Sequence, residues 1–216
     1  MATPDLITLT QPRSAAAEAY RALRTNLMFT GVEKPIQTLV VASAASDDGK
    51  SQAVANLAVT FAQAGHATIL VDGDMRQPKQ HKLWGVENKG LATMMLENAA
   101  LHNPPLLRTT VDNLFLLPAG ERPPNPADLL SSKRMSDIIA ILKAKATYIL
   151  FDAPPVLAAT DAALLALKTD AALLVVQAGR TRRDDVMRAR QALEQVNVRI
   201  AGAVLTHAPR EKSKVY

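Results

Sequence analysis

A short loop between a predicted strand and a predicted helix constrains this chain more than any other stretch. The loop reads AASDDGKS at 44–51; it follows an apolar run at 38–42 and leads into an alanine-rich helical pattern at 52–64. A strand, a loop ending in Gly-Lys-Ser and a helix form the layout of a phosphate-binding loop, in which backbone N–H groups and a helix N-terminus face an anion. Two acidic residues, Asp47 and Asp48, nevertheless stand where phosphate oxygens would lie close by.

The rest of the chain alternates between short apolar runs and helical patterns. Near-continuous apolar runs predict strands at 38–42, 67–71, 114–117, 147–151, 171–176 and 200–205. Helical spacing lies between them, at 52–64, about 90–97, 127–144, 161–167 and 183–196. Such runs are typical of parallel strands that are buried on both faces. The pattern predicts an α/β fold: a doubly wound, mostly parallel sheet with helices on both faces, in a single domain.

The segment before the first of these strands has a simpler pattern. Residues 6–9 predict a short strand that Pro12 ends. Ser14 is a predicted N-cap, because the apolar residues from 15 to 29 have helical spacing.

Three charged residues on this helix are spaced so that they share one face. Glu18, Arg21 and Arg24 fall at i, i+3 and i+6 and predict a charged strip, although a solvated polar face has the same spacing. We divide the chain into a lead-in with this helix at 1–37, an α/β core at 38–209 and a basic tail at 210–216.

Composition narrows the classes of function. The chain has no cysteine, which excludes disulfides, thiolate metal sites and cysteine nucleophiles, and its four histidines lack zinc-site spacing. The net charge of +5 suits a nucleotide or an acidic membrane surface; with one Trp, three Tyr and four Phe, none interleaved with a basic run, we predict no nucleic-acid partner. No apolar stretch approaches the ~18 residues that span a bilayer, so we expect a cytoplasmic protein unless a partner tethers it.

Charged residues follow three of the predicted strands at the same end. Lys50 comes after the first strand, Asp72 and Asp74 after the second, and Asp152 after the fourth. In an open parallel sheet, ligands bind beyond the carboxyl ends of the strands. These side chains should therefore converge, and together they predict a nucleotide site more specifically than any one motif does.

The chemistry of a nucleotide site assigns roles to these side chains. Lys50 would contact the β and γ phosphates, and the Ser51 hydroxyl would ligate Mg²⁺. Asp152 has the position of a Walker-B carboxylate, which holds the metal through its water shell. Of Asp72 and Asp74, one would orient or deprotonate an acceptor hydroxyl and the other would support the metal.

The predicted site residues form overlapping sets. The catalytic set is Lys50, Asp72, Asp74 and Asp152. The metal set is Ser51, Asp74 and Asp152. The nucleotide would be held by the loop and by an arginine that offsets phosphate charge, in all Asp48, Gly49, Lys50, Ser51, Gln52 and Arg76.

Four stretches of the chain match the motifs of one family. They are DGDMRQP at 72–78, FDAPP at 151–155, LPAG at 117–120 with PNPADLL at 124–130, and EAYRALRTN at 18–26. Over nearly its whole length the chain resembles the cytoplasmic domain of the bacterial tyrosine kinases of capsular and exopolysaccharide export. The four stretches are similar, in that order, to the family's Walker A′ motif, its Walker B motif, its PAG…PNPxELL segment and the E-x-x-R-x-x-R element through which these kinases assemble into rings.

This resemblance implies an activity and partners. It implies Mg-ATP as donor and tyrosine hydroxyls as acceptors, in a tyrosine-rich C-terminal tail presented to the neighbouring subunit. It also implies activation by a membrane-embedded chain-length regulator of the polysaccharide machinery, and hence recruitment to the inner face of the cell membrane. Glu18, Arg21 and Arg24 would then belong to the oligomerisation surface of a homo-oligomeric ring.

The phosphate-binding loop departs from the family pattern, approximately P-G-E-G-K-[ST]-T. Ala44 replaces the first glycine of the general motif; Asp48 keeps the family's acid, so Asp47 is the added charge, in place of a glycine. Two unit charges ~4 Å apart repel by up to ~4 kcal/mol at an effective dielectric of ~20. We therefore predict weakened ATP binding.

Two further departures concern the acceptor and the base. Tyr216 is the only tyrosine at the C-terminal end, so it is the one possible phosphoacceptor there. Thr206 follows the last predicted strand where the family usually has an Asn near the base, which makes a preference for adenine less secure.

Two other functions remain open on the sequence. A degenerate family member that keeps the fold and ring assembly would serve as a scaffold of the export complex, and Asp47 and the tail favour it. A partition or division-site ATPase of the ParA and MinD type would carry a signature lysine early in the loop. The corresponding residue here is Ala45, which argues against that function.

Overall fold

The computed structural model describes residues 4–30, 34–46 and 48–208. Its helices are α1 (Ile7–Thr10), α2 (Ala15–Thr30), α3 (Lys50–Gln63), α4 (Gln80–Leu83), α5 (Leu91–Leu96), α6 (Ala99–His102), α7 (Pro126–Ser131), α8 (Lys133–Lys143), α9 (Asp161–Ala166) and α10 (Arg183–Gln195). Its strands are β1 (Thr38–Ser43), β2 (Thr68–Asp72), β3 (Leu107–Arg108), β4 (Leu114–Leu117), β5 (Tyr148–Asp152), β6 (Ala171–Gln177) and β7 (Ile200–Thr206). Asp47, Tyr216 and the predicted tail at 210–216 lie outside the described residues.

The described strands form one seven-stranded sheet in the order β3-β4-β2-β5-β1-β6-β7. All neighbouring strands are parallel except β3, which pairs antiparallel with β4. The six strands predicted from residue 38 onwards are all present, with ends within one residue of those predicted. β3 was not predicted, because two residues are too few to show a periodicity.

The sheet lies between two apolar clusters, as the prediction of helices on both faces requires. Along β1, Val40 and Ala42 belong to one cluster and Leu39 and Val41 to the other. Helices α1 to α4 and the segments beside them cover one face, and α5 to α10 cover the other. Every residue of β1 is buried, which explains why its sequence is apolar without alternation.

The predicted strand at 6–9 is wrong, because the chain there forms the short helix α1. The backbone N–H and the hydroxyl of Thr8 both donate to Asn56 Oδ1 on α3, at 3.0 and 2.8 Å. This contact, together with the fully buried Leu6, holds α1 against α3 rather than beside a strand. Packing has overridden the local β propensity of these residues.

The predicted N-cap is confirmed, and one predicted helix is divided. Ser14 Oγ accepts a hydrogen bond from Ala17 N at 3.1 Å at the start of α2. The helix predicted at 127–144 is two helices, because Ser132 adopts an extended conformation and its hydroxyl caps α8 by accepting from Met135 N. None of the helices in the described ranges is both long and apolar enough to cross a bilayer.

Candidate nucleotide site

The phosphate-binding loop connects β1 to α3, and its backbone requires a glycine. Gly49 immediately precedes α3 with φ of 75°, in the left-handed region that side chains rarely adopt. Helix α3 begins at Lys50, and the backbone N–H groups of a first helical turn have no partners within the helix. They provide donors for an anion at this end of the sheet.

Lys50 is held between two carboxylates from different strand ends. Its Nζ lies 3.0 Å from Asp152 Oδ1 and 3.2 Å from Asp74 Oδ2, and all three side chains are buried. Burial alone would lower the pKa of Lys50, but the charges of Asp152 and Asp74 raise it above its usual value. The predicted convergence of these side chains is therefore present, because β2, β5 and β1 are neighbours in the sheet.

Asp72 is fully buried beside this cluster, close enough for the charges of Asp152, Lys50 and Asp74 to act on it. Its carboxylate accepts backbone N–H groups from Asp74 at 3.2 Å, Lys79 at 3.0 Å and Gln80 at 2.9 Å. Burial, with a further contribution from the charge of Asp152, raises the pKa of Asp72 well above its usual range. Asp72 thus closes the loop at 73–80 onto the end of β2.

The side chain of Asp48 is buried, and both of its carboxylate oxygens accept hydrogen bonds from the protein. Its Oδ1 accepts a hydrogen bond from the Thr181 hydroxyl at 2.9 Å, and its Oδ2 accepts one from Ala45 N at 3.3 Å. Thr181 Oγ1 in turn accepts from Gln177 N at 2.8 Å, at the end of β6. Asp48 therefore shapes the loop and connects it to β6, a connection that sequence motifs did not indicate.

Arg76 forms an ion pair with Asp161, a residue that the motifs did not indicate. Its guanidinium makes two hydrogen bonds, of 2.8 and 3.0 Å, to Asp161 at the start of α9. The hydrogen bond to this fully buried carboxylate raises the pKa of Arg76. The charge of Asp74, a partner of Lys50, also acts on Arg76, so the guanidinium lies near this cluster while its hydrogen bonds go to Asp161. A contact of Arg76 with phosphate stays a prediction.

Gln80 is a buried residue of the site that no motif predicted. Its Nε2 donates to Asp152 Oδ2 at 2.8 Å and to the backbone carbonyl of Ser51 at 2.9 Å. It is completely inaccessible to solvent, although it is polar and begins the short helix α4.

Two cavities meet at the start of α3. The first, of about 590 Å³, is lined by Ser46, Gly49, Lys50, Ser51, Gln52, Asp74, Gln77, Lys79, Lys82, Leu83 and Pro155. The second, of about 750 Å³, shares Gly49 and Gln52 with it and extends between α2 and the end of β7, where Thr206 and His207 line it. The predicted residues from 49 to 52 and Asp74 thus line a common space, whereas Asp48, Asp72 and Arg76 do not line the first cavity.

The oxygen atoms at the cavity fit Mg²⁺. Ser51 Oγ has no hydrogen-bond partner in the described part of the chain, and the Asp74 and Asp152 carboxylates lie close by, both contacting Lys50. No group of three or more His, Asp or Glu side chains within residues 4–30, 34–46 and 48–208 forms a protein-only metal site. Magnesium is usually held by one or two carboxylates and by substrate phosphates, so this donor set suits it.

The predicted charged strip on α2 is divided between the surface and the interior. Glu18 and Arg21 form an ion pair of 2.7 Å on the outer face, with 70 % and 31 % of their side chains exposed. Arg24 instead donates to the backbone carbonyl of Thr60 at 2.9 Å, so it packs α2 onto α3.

Comparison with known proteins identifies the family. Residues 39–214 match the CobQ/CobB/MinD/ParA nucleotide binding domain. The chain is 34 % identical over 213 residues to the tyrosine-protein kinase YwqD of Bacillus subtilis, covering 98 % of this chain and 90 % of that protein. The kinase domain of the Escherichia coli tyrosine kinase ETK superposes with a TM-score of 0.91 at 29 % identity, covering 100 % of this chain and 85 % of that one.

The division-site proteins are more distant. The septum site-determining protein MinD of Pyrococcus horikoshii, complexed with Mg-ADP, gives a TM-score of 0.68 at 25 % identity and covers 82 % of this chain and 72 % of that one. The likeness to MinD is thus a distant one of fold, and the alternative of a ParA or MinD type ATPase loses support. The chain belongs to the family of bacterial tyrosine kinases of capsule and exopolysaccharide biosynthesis.

Proposed function

We propose that this chain is an ATP-dependent protein-tyrosine kinase that autophosphorylates and regulates capsular or exopolysaccharide biosynthesis and export. The observation that carries the proposal is the position of Lys50, which lies at the N-terminus of α3 between Asp74 and Asp152. Relatives at 34 % and 35 % identity carry the name tyrosine-protein kinase.

In this proposal the chain's own groups fix the phosphates before transfer. The N–H groups at the start of α3 and the Lys50 ammonium bind the β and γ phosphates, and their positions are fixed by Gly49 and by the two carboxylates. Ser51, Asp74 and Asp152 hold Mg²⁺, which supplies positive charge that neutralises phosphate oxygens when it is bound.

Transfer forms a bond between the tyrosine oxygen and the γ phosphorus while the bond from that phosphorus to the bridging oxygen of ADP breaks. The hydroxyl proton passes to a carboxylate, for which we propose Asp72. Its pKa is shifted upward, and a higher pKa makes a carboxylate a better proton acceptor. Oδ1 of Asp72 accepts the N–H of Asp74, whereas Oδ2 is held by Lys79 and Gln80, so the backbone at Asp74 has to move for Oδ1 to take the proton.

The family suggests partners and a location. We propose a homo-oligomeric ring in which the exposed pair of Glu18 and Arg21 contacts a neighbouring subunit, with Arg24 supporting the helix from inside. We also propose a cytoplasmic protein that a membrane-embedded chain-length regulator recruits and activates. Tyr216 is the proposed acceptor at the C-terminal end.

Incubation with Mg-ATP labelled on the γ phosphate tests the activity. We expect phosphotyrosine on the chain, or on a tyrosine-containing copolymer added as acceptor, and none with Lys50→Met of unchanged thermal stability. Nucleotide binding without transfer, even with the activating partner added, would contradict a kinase and favour a scaffold, the function to which Asp47 points. ATP hydrolysis stimulated by DNA or lipid would instead favour a MinD-type ATPase.

A further inference from the structure

We propose that Gln80 is a positioning residue of the nucleotide site: its side-chain amide fixes the Asp152 carboxylate relative to Ser51, the two residues proposed to hold the metal. The inference rests on the proposed nucleotide function and assigns a role to a residue outside the family motifs described above. Gln80 does not itself contact the ligand in this proposal; it acts through Asp152 and Ser51.

The hydrogen bonds of Gln80 define its orientation. Nε2 lies 2.8 Å from a carboxylate oxygen of Asp152 and 2.9 Å from the carbonyl oxygen of Ser51. Both partners are acceptors only, so the nitrogen of the amide has to face them. The amide oxygen is left buried without a hydrogen-bond partner among the residues that the structure describes.

An unpartnered buried oxygen argues against a purely structural role. A buried acceptor without a partner costs free energy, and an apolar side chain of the same size would avoid that cost. The benefit of a glutamine at this fully buried position therefore lies in its two N–H groups, for which Asp152 and Ser51 are the acceptors within the described residues.

The two oxygens of Asp152 consequently have separate partners. Oδ2 accepts from Gln80, whereas Oδ1 faces the Lys50 ammonium at 3.0 Å. With Oδ2 held, the carboxylate cannot rotate freely, and Oδ1 stays directed at the side of the cavity where the Lys50 ammonium lies. Ser51 is held at its carbonyl, so its backbone has a fixed place relative to the Asp152 carboxylate.

The backbone of Gln80 completes the arrangement. Its N–H donates to Asp72 Oδ2 at 2.9 Å, and Asp72 is the register partner of Asp152 in the pairing of β2 with β5. One residue thus donates to two neighbouring carboxylates that would otherwise repel each other across the strand ends. Gln80 links the loop at 73–80 to both of them.

Binding of Mn²⁺, followed by electron paramagnetic resonance in the presence of ADP, tests this role without relying on catalysis. Gln80→Met keeps the approximate size and removes the donor. We expect it to weaken Mn²⁺ binding to the ADP complex about 10- to 100-fold, the usual effect of losing a group that orients a metal ligand. Affinity for ADP in EDTA, measured by calorimetry, should change less than about threefold. Gln63→Met, at the exposed end of α3, is the matched control and should behave as the wild type.

Gln80→Glu provides the second variant, for use also if Gln80→Met does not fold. Its carboxylate oxygens would face the carboxylate of Asp152 and the carbonyl of Ser51, which are also acceptors. We therefore expect a loss of Mn²⁺ affinity at least as large as in Gln80→Met. If either Gln80 variant binds Mn²⁺ as tightly as the wild type, the role of Gln80 is overturned. It is also overturned if a variant loses ADP affinity by the same factor with metal present and in EDTA. A wild-type protein that binds neither ADP nor Mn²⁺ would overturn the proposed nucleotide function and this inference with it.

Discussion

The hydroxyl of Thr181 donates a hydrogen bond of 2.9 Å to the buried carboxylate of Asp48 and connects the phosphate-binding loop to the end of β6. Asp48 also accepts a hydrogen bond from the N–H of Ala45 within the loop. Each oxygen of this buried carboxylate thus has a donor from the protein. Of the two acidic residues that the sequence places beside the phosphates, this one stabilises the loop.

Thr181→Val should reduce nucleotide affinity, because it removes the donor to Asp48 while keeping the shape of the side chain. A buried carboxylate that loses a donor costs about 1 to 3 kcal/mol. If half of this cost falls on the loop conformation that binds phosphate, Mg-ADP affinity measured by calorimetry should fall about two- to tenfold. Thr181→Ser keeps the hydroxyl and should bind as the wild type; equal affinities of all three proteins would refute the role of Thr181.

Asp47→Gly should strengthen ATP binding, because it removes a negative charge and restores the glycine that the family has at this position. Asp47 lies outside the described residues, so this expectation comes from the sequence alone. We expect Mg-ATP affinity to rise at least about tenfold, with Asp47→Asn giving the part that is due to charge. Low-micromolar binding by the wild type, unchanged in Asp47→Gly, would contradict the prediction.

Gly90→Ala should destabilise the fold strongly because of a steric clash. An added Cβ would lie 2.1 Å from the carbonyl oxygen of Pro118, and Leu91 N donates to that same oxygen at 2.8 Å. We expect the free energy of unfolding in urea to fall by more than about 3 kcal/mol.

The control for this change is Gly65→Ala, which isolates backbone strain from crowding. Gly65 has φ of 85°, and nothing lies within 4 Å of its added Cβ. Strain in the left-handed region costs about 1 to 2 kcal/mol. If Gly90→Ala and Gly65→Ala lose similar unfolding free energies, the backbone at Pro118 moves to make room for the added Cβ, and the clash is not the cause.

Asp170→Asn should lower the free energy of unfolding at neutral pH, and it should lower it by a smaller amount in acid. Burial by itself would raise the pKa of Asp170, but hydrogen bonds from Thr38 and Gln37 lower it below its usual value. The stability that Asp170 contributes is therefore complete above its unfolded pKa and is lost as pH falls through the lower folded pKa.

We expect a difference of about 1 to 3 kcal/mol in unfolding free energy at pH 7 between wild type and Asp170→Asn. The difference should shrink as the pH falls below about 4, which urea unfolding across pH measures. Asp137→Asn, on the exposed side of α8, should stay within about 0.5 kcal/mol of the wild type. A difference that does not depend on pH would contradict the assignment.

The six strands from residue 38 onwards were predictable from their apolar runs. The meeting of Lys50 with Asp74 and Asp152 was predictable because each follows a predicted parallel strand of the same sheet. A strand buried on both faces is apolar throughout, and parallel strand ends lie at one edge of the sheet. The short helix α1 was not predictable, since its conformation depends on the contact of Thr8 with Asn56, 48 residues away.

The hydrogen-bond partners of the charged side chains could not be predicted from the sequence. Arg76 and Asp48 stand in motif positions, yet their partners Asp161 and Thr181 lie 85 and 133 residues further along the chain. Gln80 carries no motif signature, because its role comes from reaching Ser51 and Asp152 at once. Motifs identify which residues reach the site but not which atoms face the cavity.

Lys50 finds its counter-charges within the chain itself, on Asp74 and Asp152. In the function proposed above, a bound nucleotide would exchange phosphates for these carboxylates as partners of Lys50. Its departure would not leave a buried ammonium without compensation, because both carboxylates belong to the same chain.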